Sequence, residues 1–217
     1  AWKAALASAL LAFLAGPLLA QRLHVRNFTS DQGLPASQTW KIAQDSRGAL
    51  WIGTSGGVSR FDGSGFVNFG VSDGLPDALV RTIVESPDGH LWFGTNGGIV
   101  EYDGTSFRNA ANGQPFPRDE IWDSLVDSRG RLWFASQNRG LHSWDGKRFQ
   151  NFGTKEGLPS DFAYALHQDR HGRLWVGTRG NGVAELDVSG EAPRVVRTLT
   201  AADGLGSGSV RAITEDA

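Results

Sequence analysis

Residues 86–95 read Ser-Pro-Asp-Gly-His-Leu-Trp-Phe-Gly-Thr, and this pattern occurs four times in the chain without a gap. The four copies are Asp45–Thr54, Ser86–Thr95, Asp127–Ser136 and Asp169–Thr178. Their tryptophans, separated by 41, 41 and 42 residues, are Trp51, Trp92, Trp133 and Trp175. Four asparagines recur at the same intervals, each 24 residues before a tryptophan: Asn27, Asn68, Asn109 and Asn151. Two markers in phase indicate tandem repeats, so the chain is a series of similar structural units.

One repeat contains four predicted strands. In the second repeat they are Val80–Glu85, Leu91–Thr95, Ile99–Tyr102 and Phe107–Ala110. Tight turns are predicted between them, at 87–89, 97–98 and 103–104, where Gly follows Asp or another Gly. Such turns need a positive φ, which Gly adopts without a Cβ clash.

The tryptophan strands are continuously apolar, as Leu91-Trp92-Phe93 illustrates, so both faces of each unit are expected to be covered. Radial stacking of such units gives a propeller. We therefore predict an all-β fold, in which β-propeller blades of four antiparallel strands form a partial ring. The four repeated tryptophans are its predicted structural core, because an indole removes a large apolar area from water. The predicted blades cover about residues 36–69, 77–110, 118–152 and 160–199.

Segments on either side of these blades resemble single strands of a blade. Residues 22–28 contain Val25-Arg-Asn-Phe28, which aligns with the fourth strand Phe66-Val-Asn-Phe69 and is predicted to close the propeller by completing its last blade. Residues 207–217 contain Val210-Arg-Ala-Ile213, which repeats the beginning of the second blade and predicts the start of a fifth. Four blades and a fraction do not close a ring, so both ends are interpreted as cut from a longer protein.

Residues 1–20 are predicted to be a signal peptide or a membrane anchor. Lys3 precedes an apolar stretch from Ala4 to Leu14, which is short for a membrane span. Leu18 fits the small-residue cleavage rule poorly, so both interpretations stay open. Either one places residues 21–217 outside the cytoplasm.

The composition argues against several function classes. With 21 basic and 23 acidic side chains, the chain has no basic field that would hold nucleic acid or an anionic membrane surface. The absence of Cys excludes a thiol nucleophile and thiolate zinc ligands. No phosphate loop, dinucleotide fingerprint or nucleophile elbow is present.

Two patterns that resemble catalytic or metal-binding sites have simpler explanations. One acidic residue recurs at the same predicted hairpin of every repeat, at Asp62, Asp103, Asp145 and Asp187. Asp at a turn commonly binds its own backbone amides, so these are predicted turn residues. His167 and His171 are four apart, but a strand and its hairpin do not place them as two ligands of one metal. The sequence thus predicts no catalytic residues, no metal site and no cofactor.

The repeat resembles the two-component regulator propeller of bacterial sensors. The resemblance is carried by Asp73-Gly-Leu-Pro76, Val80–Ile83, Gly89–Thr95, Gly97-Gly98 and Phe107, and it covers about residues 22–217. Related openings occur at Gln32, Glu156 and Asp203. The third opening, Asn112–Pro117, departs from the pattern, which predicts a different loop there.

The resemblance implies the periplasmic sensor region of an inner-membrane receptor whose cytoplasmic half is a histidine kinase, or alternatively a diguanylate cyclase. It also implies a small-molecule or oligosaccharide ligand, commonly a glycan fragment, and a homodimeric receptor. Membrane contact is expected only through the N-terminal segment or a missing C-terminal helix.

Propeller ligands usually lie on the face where the second strand turns into the third. At this turn the repeats share a framework Gly but differ in polar residues. We predict ligand contacts there from Asn96, Gln137, Asn138, Arg139, Arg179 and Asn181. Ordinary loop variation explains the same differences.

Two other function classes remain, a secreted propeller enzyme acting on glycans and a lectin-like binding scaffold. The first requires carboxylates, His or Tyr converging at the propeller centre. The residues that follow Ala217 distinguish all three classes, since a transmembrane helix and a kinase dimerisation helix would indicate the receptor.

Overall fold

The computed structural model describes residues 27–111 and 113–216 and shows that they form an all-β fold. Its regular elements are four four-stranded antiparallel sheets, one two-stranded hairpin and short 3-10 turns. The predicted signal peptide or anchor, and residues 22–26 of the predicted closing strand, lie outside the described residues. No helix within the described ranges is long and apolar enough to cross a membrane.

Each sheet is one blade, and its strands pair in chain order. Blade 1 consists of Thr39–Gln44, Leu50–Thr54, Gly57–Phe61 and Phe66–Phe69. Blade 2 consists of Val80–Glu85, Leu91–Thr95, Gly98–Tyr102 and Phe107–Arg108. Blade 3 consists of Ile121–Val126, Leu132–Ser136, Leu141–Trp144 and Phe149–Phe152. Blade 4 consists of Ala163–Gln168, Leu174–Thr178, Val183–Asp187 and Arg194–Leu199.

The predicted class, antiparallel blades in an unclosed propeller, is confirmed. The first strand of each blade contacts the first strand of the next blade, which places the four first strands nearest the propeller axis. The strand order within each sheet then runs outward from that axis.

The repeated opening sequence forms a 3-10 turn that precedes a blade. The turns are Ser30–Gln32, Val71–Asp73, Thr154–Glu156 and Ala201–Asp203. Each ends at a left-handed Gly, for example Gly74 at φ 115°, and the following Leu75 is buried. The side chain at the end of the turn accepts the backbone N–H at its start, as Asp73 does from Gly70. The Gly-Leu pair therefore places a buried leucine beneath the openings of blades 1, 2 and 4, namely Leu34, Leu75 and Leu158.

The third opening has a different structure, as its sequence predicted. The fourth strand of blade 2 ends at Arg108, two residues earlier than predicted. The Asn109 carbonyl accepts a hydrogen bond from the Phe116 N–H at 2.8 Å, which bends the chain into the small hairpin of Ala110–Ala111 and Gln114–Pro115. Phe116 is buried against Trp92, with ring centroids 5.1 Å apart, and it takes the place of the buried leucine of the other openings.

Three of the four repeated tryptophans lie between blades and pack against the next blade. Trp51 packs on Phe93 of blade 2 and Trp92 on Phe134 of blade 3, with centroids 5.6 and 6.2 Å apart. Trp133 shares a buried cluster with Val176 of blade 4. These three indoles are at most 2% exposed.

Trp175, predicted to be core, is only half-buried. Its outward side faces residues 213–216 across a concavity, and no further complete sheet covers it within the described residues. Its indole N–H still donates to Asp169 at 2.9 Å, as Trp133 does to Asp127 and Trp51 to Asp45. An Asp thus satisfies the one polar atom of the indole in blades 1, 3 and 4, and the Ser86 hydroxyl accepts from Trp92 at 3.2 Å in blade 2.

Residues 210–216 lie against blade 4 without a strand assignment. The Glu215 carboxylate accepts the Arg170 N–H, as Glu85 accepts that of Ser46 and the Gln168 amide oxygen that of Ser128. These contacts join the hairpin of one blade to the first strand of the next. Residues 210–216 thus occupy the place of a first strand.

Candidate functional site

Every first strand contains a β-bulge at the same position. The register with the second strand skips one residue per blade, and these residues are Trp40, Arg81, Trp122 and Tyr164. Arg211 follows Val210 as Arg81 follows Val80, so it occupies the fifth copy of this position. We name these five residues the bulge row. A bulge re-aims its side chain out of the strand pleat, and bulges are frequent beside functional sites.

The bulge row is a continuous series of aromatic and guanidinium groups in contact. The Arg81 guanidinium lies 5.2 Å from the Trp40 ring centre and 4.1 Å from that of Trp122. Trp122 meets Tyr164 edge to face, with centroids 5.0 Å apart. The Arg211 guanidinium lies 5.2 Å from the Tyr164 ring. Side chains of successive blades therefore contact one another around the axis.

Arg81 is the best-fixed charge in the row. Its side chain is 9% exposed, it pairs with Glu120 at 2.6 Å, and its Nη1 donates to Asn96 Oδ1 at 3.1 Å. Burial lowers the Arg81 pKa from its ordinary value, against the opposing charge of Glu120. Two buried donors beside this pair, Arg81 Nε and Trp122 Nε1, have no acceptor among the described residues.

The six predicted site residues lie at the same end of the blades as the bulge row, because the end of each second strand pairs with the start of the first. The structure joins Asn96 directly to the row, and Arg179 through Phe162, which contacts Trp122 and Tyr164. Asn96 accepts from Arg81, and the Arg179 guanidinium stacks 5.2 Å from the ring of Phe162.

The other four predicted residues have different surroundings. Asn138 donates to the buried carboxylate of Asp119 at 3.0 Å, and the Asn181 amide donates to the Pro159 carbonyl. Both amides therefore hold loops in place. Gln137 is half-buried, and Arg139 is exposed.

Sequence reasoning missed the bulge row itself. Part of the signal was available, because the second residue of each first strand changes between Trp, Arg and Tyr, while the first residue is apolar in blades 2 to 4. The bulge itself could not be predicted from the alternation of apolar and polar residues. One extra residue reverses this alternation only in the part of the strand that follows it, and these strands are too short to show the reversal.

A concavity on the axis side lies next to the row. It measures 550 Å³ and its lining includes Lys41, Asp123, His167 and Arg211. Burial raises the Asp123 pKa above its ordinary value, although the Leu166 N–H, which donates to this carboxylate at 2.9 Å, opposes that shift. Arg211 therefore borders both the axis concavity and the aromatic row.

The recurring hairpin carboxylates are bound within their own turns. Asp62 accepts the Ser64 N–H at 2.9 Å, and the same bond occurs at Asp103, Asp145 and Asp187. The Ser64 hydroxyl and backbone bonds lower the Asp62 pKa to about 2. These carboxylates are anionic turn caps, as the sequence predicted.

His142 carries a pH-dependent contribution to stability. It is 3% exposed, and burial lowers its pKa to about 4, with Asp119 opposing and Arg139 adding to the shift. The unfolded chain takes up this proton near pH 6.5, so stabilisation by the neutral form is present above that pH and is lost as pH falls towards 4.

We expect the protein to be less stable at pH 5 than at pH 7 by about 2 kcal/mol through His142 alone. Urea unfolding of His142→Gln at the two pH values should show this difference removed. His171→Gln, at an exposed position, should retain it. An unchanged pH dependence in His142→Gln would refute the assignment.

Three segments of the chain match the family described as two component regulator propeller, residues 33–56, 74–97 and 157–180. They run from the opening turns of blades 1, 2 and 4 to the loops after their second strands. No protein with a curated description is significantly similar to the chain.

Solved structures show the same fold. The extracellular domain of a hybrid two-component system from B. thetaiotaomicron is 22% identical with a TM-score of 0.72, and the match covers 88% of this chain and 27% of that one. A second such domain from B. thetaiotaomicron is 24% identical, with a TM-score of 0.62 and coverages of 76% and 22%. Virginiamycin B lyase from Staphylococcus aureus is 19% identical, with a TM-score of 0.58 and coverages of 74% and 56%. The chain thus spans about a quarter of the first two domains.

Proposed function

This chain carries two-component regulator propeller repeats, and we propose that it belongs to the ligand-sensing, periplasmic region of a receptor that relays binding to a cytoplasmic histidine kinase. The three matches to the repeat family carry this proposal. The similarity in fold to extracellular domains of hybrid two-component systems supports it.

The ligand end of the blades supports a binding role. Fixed glycines hold the loops there, while Asn96, Gln137, Arg139 and Arg179 differ from blade to blade. Loops on a rigid scaffold are the usual place for recognition, because they vary without disturbing the core. We propose that these side chains contact a small molecule or an oligosaccharide, and that the receptor acts as a homodimer.

The relay is tested in cells that express the whole receptor with a reporter gene under its control. Arg139→Gln combined with Arg179→Gln should weaken the response to inducer by at least about tenfold, the loss expected for charge-assisted bonds. Arg148→Gln combined with Arg194→Gln removes the same charge from exposed hairpins and serves as the control. An unchanged response in the first variant would exclude the predicted loops as the ligand site.

Location and output are tested separately. Alkaline phosphatase fused after Ala217 should be active, because that enzyme needs an oxidising compartment for its disulfides. The purified receptor should incorporate phosphate from ATP on a histidine. An inactive fusion would contradict the periplasmic location. Formation of a cyclic dinucleotide from GTP by the purified receptor would show that its output domain is a cyclase and not a kinase.

A further inference from the structure

We propose that the bulge row and its neighbours form a binding site for a carboxylate ligand that carries a flat apolar ring. The site consists of three aromatic rings, each stacked with one guanidinium: Trp122 with Arg81, Phe162 with Arg179, and Tyr164 with Arg211. The proposal rests on the proposed function in taking this end of the blades as the ligand end.

The three rings form one compact cluster. Their centroids are 5.6 Å apart for Trp122 and Phe162, 5.0 Å for Trp122 and Tyr164, and 4.5 Å for Phe162 and Tyr164. The rings therefore hold three guanidiniums from blades 2 and 4 and residues 210–216 around a single apolar centre. Stacking leaves the N–H edge of a guanidinium free to bind a planar anion.

Arg81 shows how this site holds a carboxylate. One face of its guanidinium lies on Trp122, and its edge binds the Glu120 carboxylate at 2.6 Å. Arg211 occupies the same repeat position and lies 5.2 Å from the Tyr164 ring of the preceding blade, as Arg81 lies 5.2 Å from the Trp40 ring of the blade before its own. Arg81 and Glu120 thus provide a template inside the chain for binding a carboxylate at Arg211.

Arg179 and Arg211 are available for such a bond. Both are exposed, and no carboxylate among the described residues lies within ion-pairing distance of either. Of the three guanidiniums, only that of Arg81 is neutralised, by Glu120. The excess positive charge favours an anionic ligand and disfavours a neutral one.

Arg81 and Trp122 also provide hydrogen-bond donors to the site. The Arg81 side chain is 91% buried, and its Nε is a donor without an acceptor among the described residues, as is Nε1 of the adjacent Trp122. Buried donors normally find partners, and a carboxylate has four lone-pair positions for them. Half-buried Trp122 and Phe162 border these groups, and the exposed part of each ring can contact an apolar ring.

The test titrates the full chain with benzoate and with benzamide, which have the same shape but differ in charge. The indole N–H resonance of Trp122, identified through Trp122→Phe, should shift with benzoate and stay in place with benzamide. Benzoate binding should weaken by at least about tenfold in Arg179→Gln combined with Arg211→Gln. Arg148→Gln combined with Arg194→Gln, of equal charge change, should bind as the wild type does. Circular dichroism checks that both variants are folded.

Equal binding of benzamide, no shift with benzoate, or unchanged affinity in the Arg179 and Arg211 variant would each overturn the proposal. Because this measurement needs no signal relay, its failure is distinguishable from failure of the sensor function. A receptor whose reporter responds through Arg139 and Arg179 but which ignores benzoate would remain a sensor with another ligand class.

Discussion

Trp133→Ala is expected to destabilise the chain by about 3–5 kcal/mol, the range for removing a large aromatic residue from a packed core. Trp133 is 1% exposed and lies between blades 3 and 4, where it packs in one cluster with Leu166 and Val176. Its removal also leaves the Asp127 carboxylate, which is 4% exposed, without the indole donor at 2.9 Å. The loss of contact area and the loss of a hydrogen bond act in the same direction.

Trp175→Ala is the matched control. It removes the same side chain at the same repeat position, with the same bond to Asp169, but from a half-buried setting. Its cost should be about 1–2 kcal/mol, since less apolar area returns to water. Urea unfolding of both variants measures the difference. Equal costs would mean that packing between blades contributes little to stability.

The blade architecture was predictable because the repeat displays it several times. Trp51, Trp92 and Trp133 recur at fixed intervals. A residue type that recurs at one position in every unit indicates that the same packing contact is needed in all of them. The strand limits of blade 2 agree with prediction within one residue, the third strand starting at Gly98 instead of Ile99, except at its last strand. There Pro115 and Pro117 replace the usual opening, and the chain turns early.

The site was less predictable because its members differ from blade to blade. Asn96 and Arg179 were found from loop variation, and they prove to contact Arg81 and Phe162. The edge-to-face contact of Trp122 with Tyr164 joins residues of different blades, and no spacing within one repeat encodes a contact between repeats. Half-burial of Trp175 was missed for a related reason, since its environment depends on what packs against blade 4.

The framework glycines also acquire a physical explanation. Gly57, Gly98, Gly140 and Gly182 each begin or precede a third strand at positive φ. A Cβ built on any of them would meet a carbonyl oxygen of the chain that leads to the next blade, at 2.5 Å or less. Only Gly satisfies both the backbone angle and the close approach.

Gly98→Ala is therefore expected to cost about 3–5 kcal/mol. The φ of 125° is strained for any side chain, which costs about 1–3 kcal/mol, and forced overlap in a packed site costs a similar amount. The added Cβ would lie 2.4 Å from the Pro117 oxygen and 2.9 Å from the Arg118 Cα, so the backbone itself must move. That movement also disturbs the bond between the Ile99 N–H and the Pro117 carbonyl, which measures 3.1 Å.

Gly63→Ala is the control that separates the cost of the backbone angle from the cost of steric overlap. Gly63 has φ 97°, but a Cβ there would meet nothing within 4 Å, so this variant should lose only about 1–2 kcal/mol. Thermal unfolding of the two variants gives the comparison. If both lose the same stability, backbone angle alone selects glycine at the framework positions. If Gly98→Ala loses more, as we expect, the loop after the second strand is held by direct contact with the chain entering the next blade.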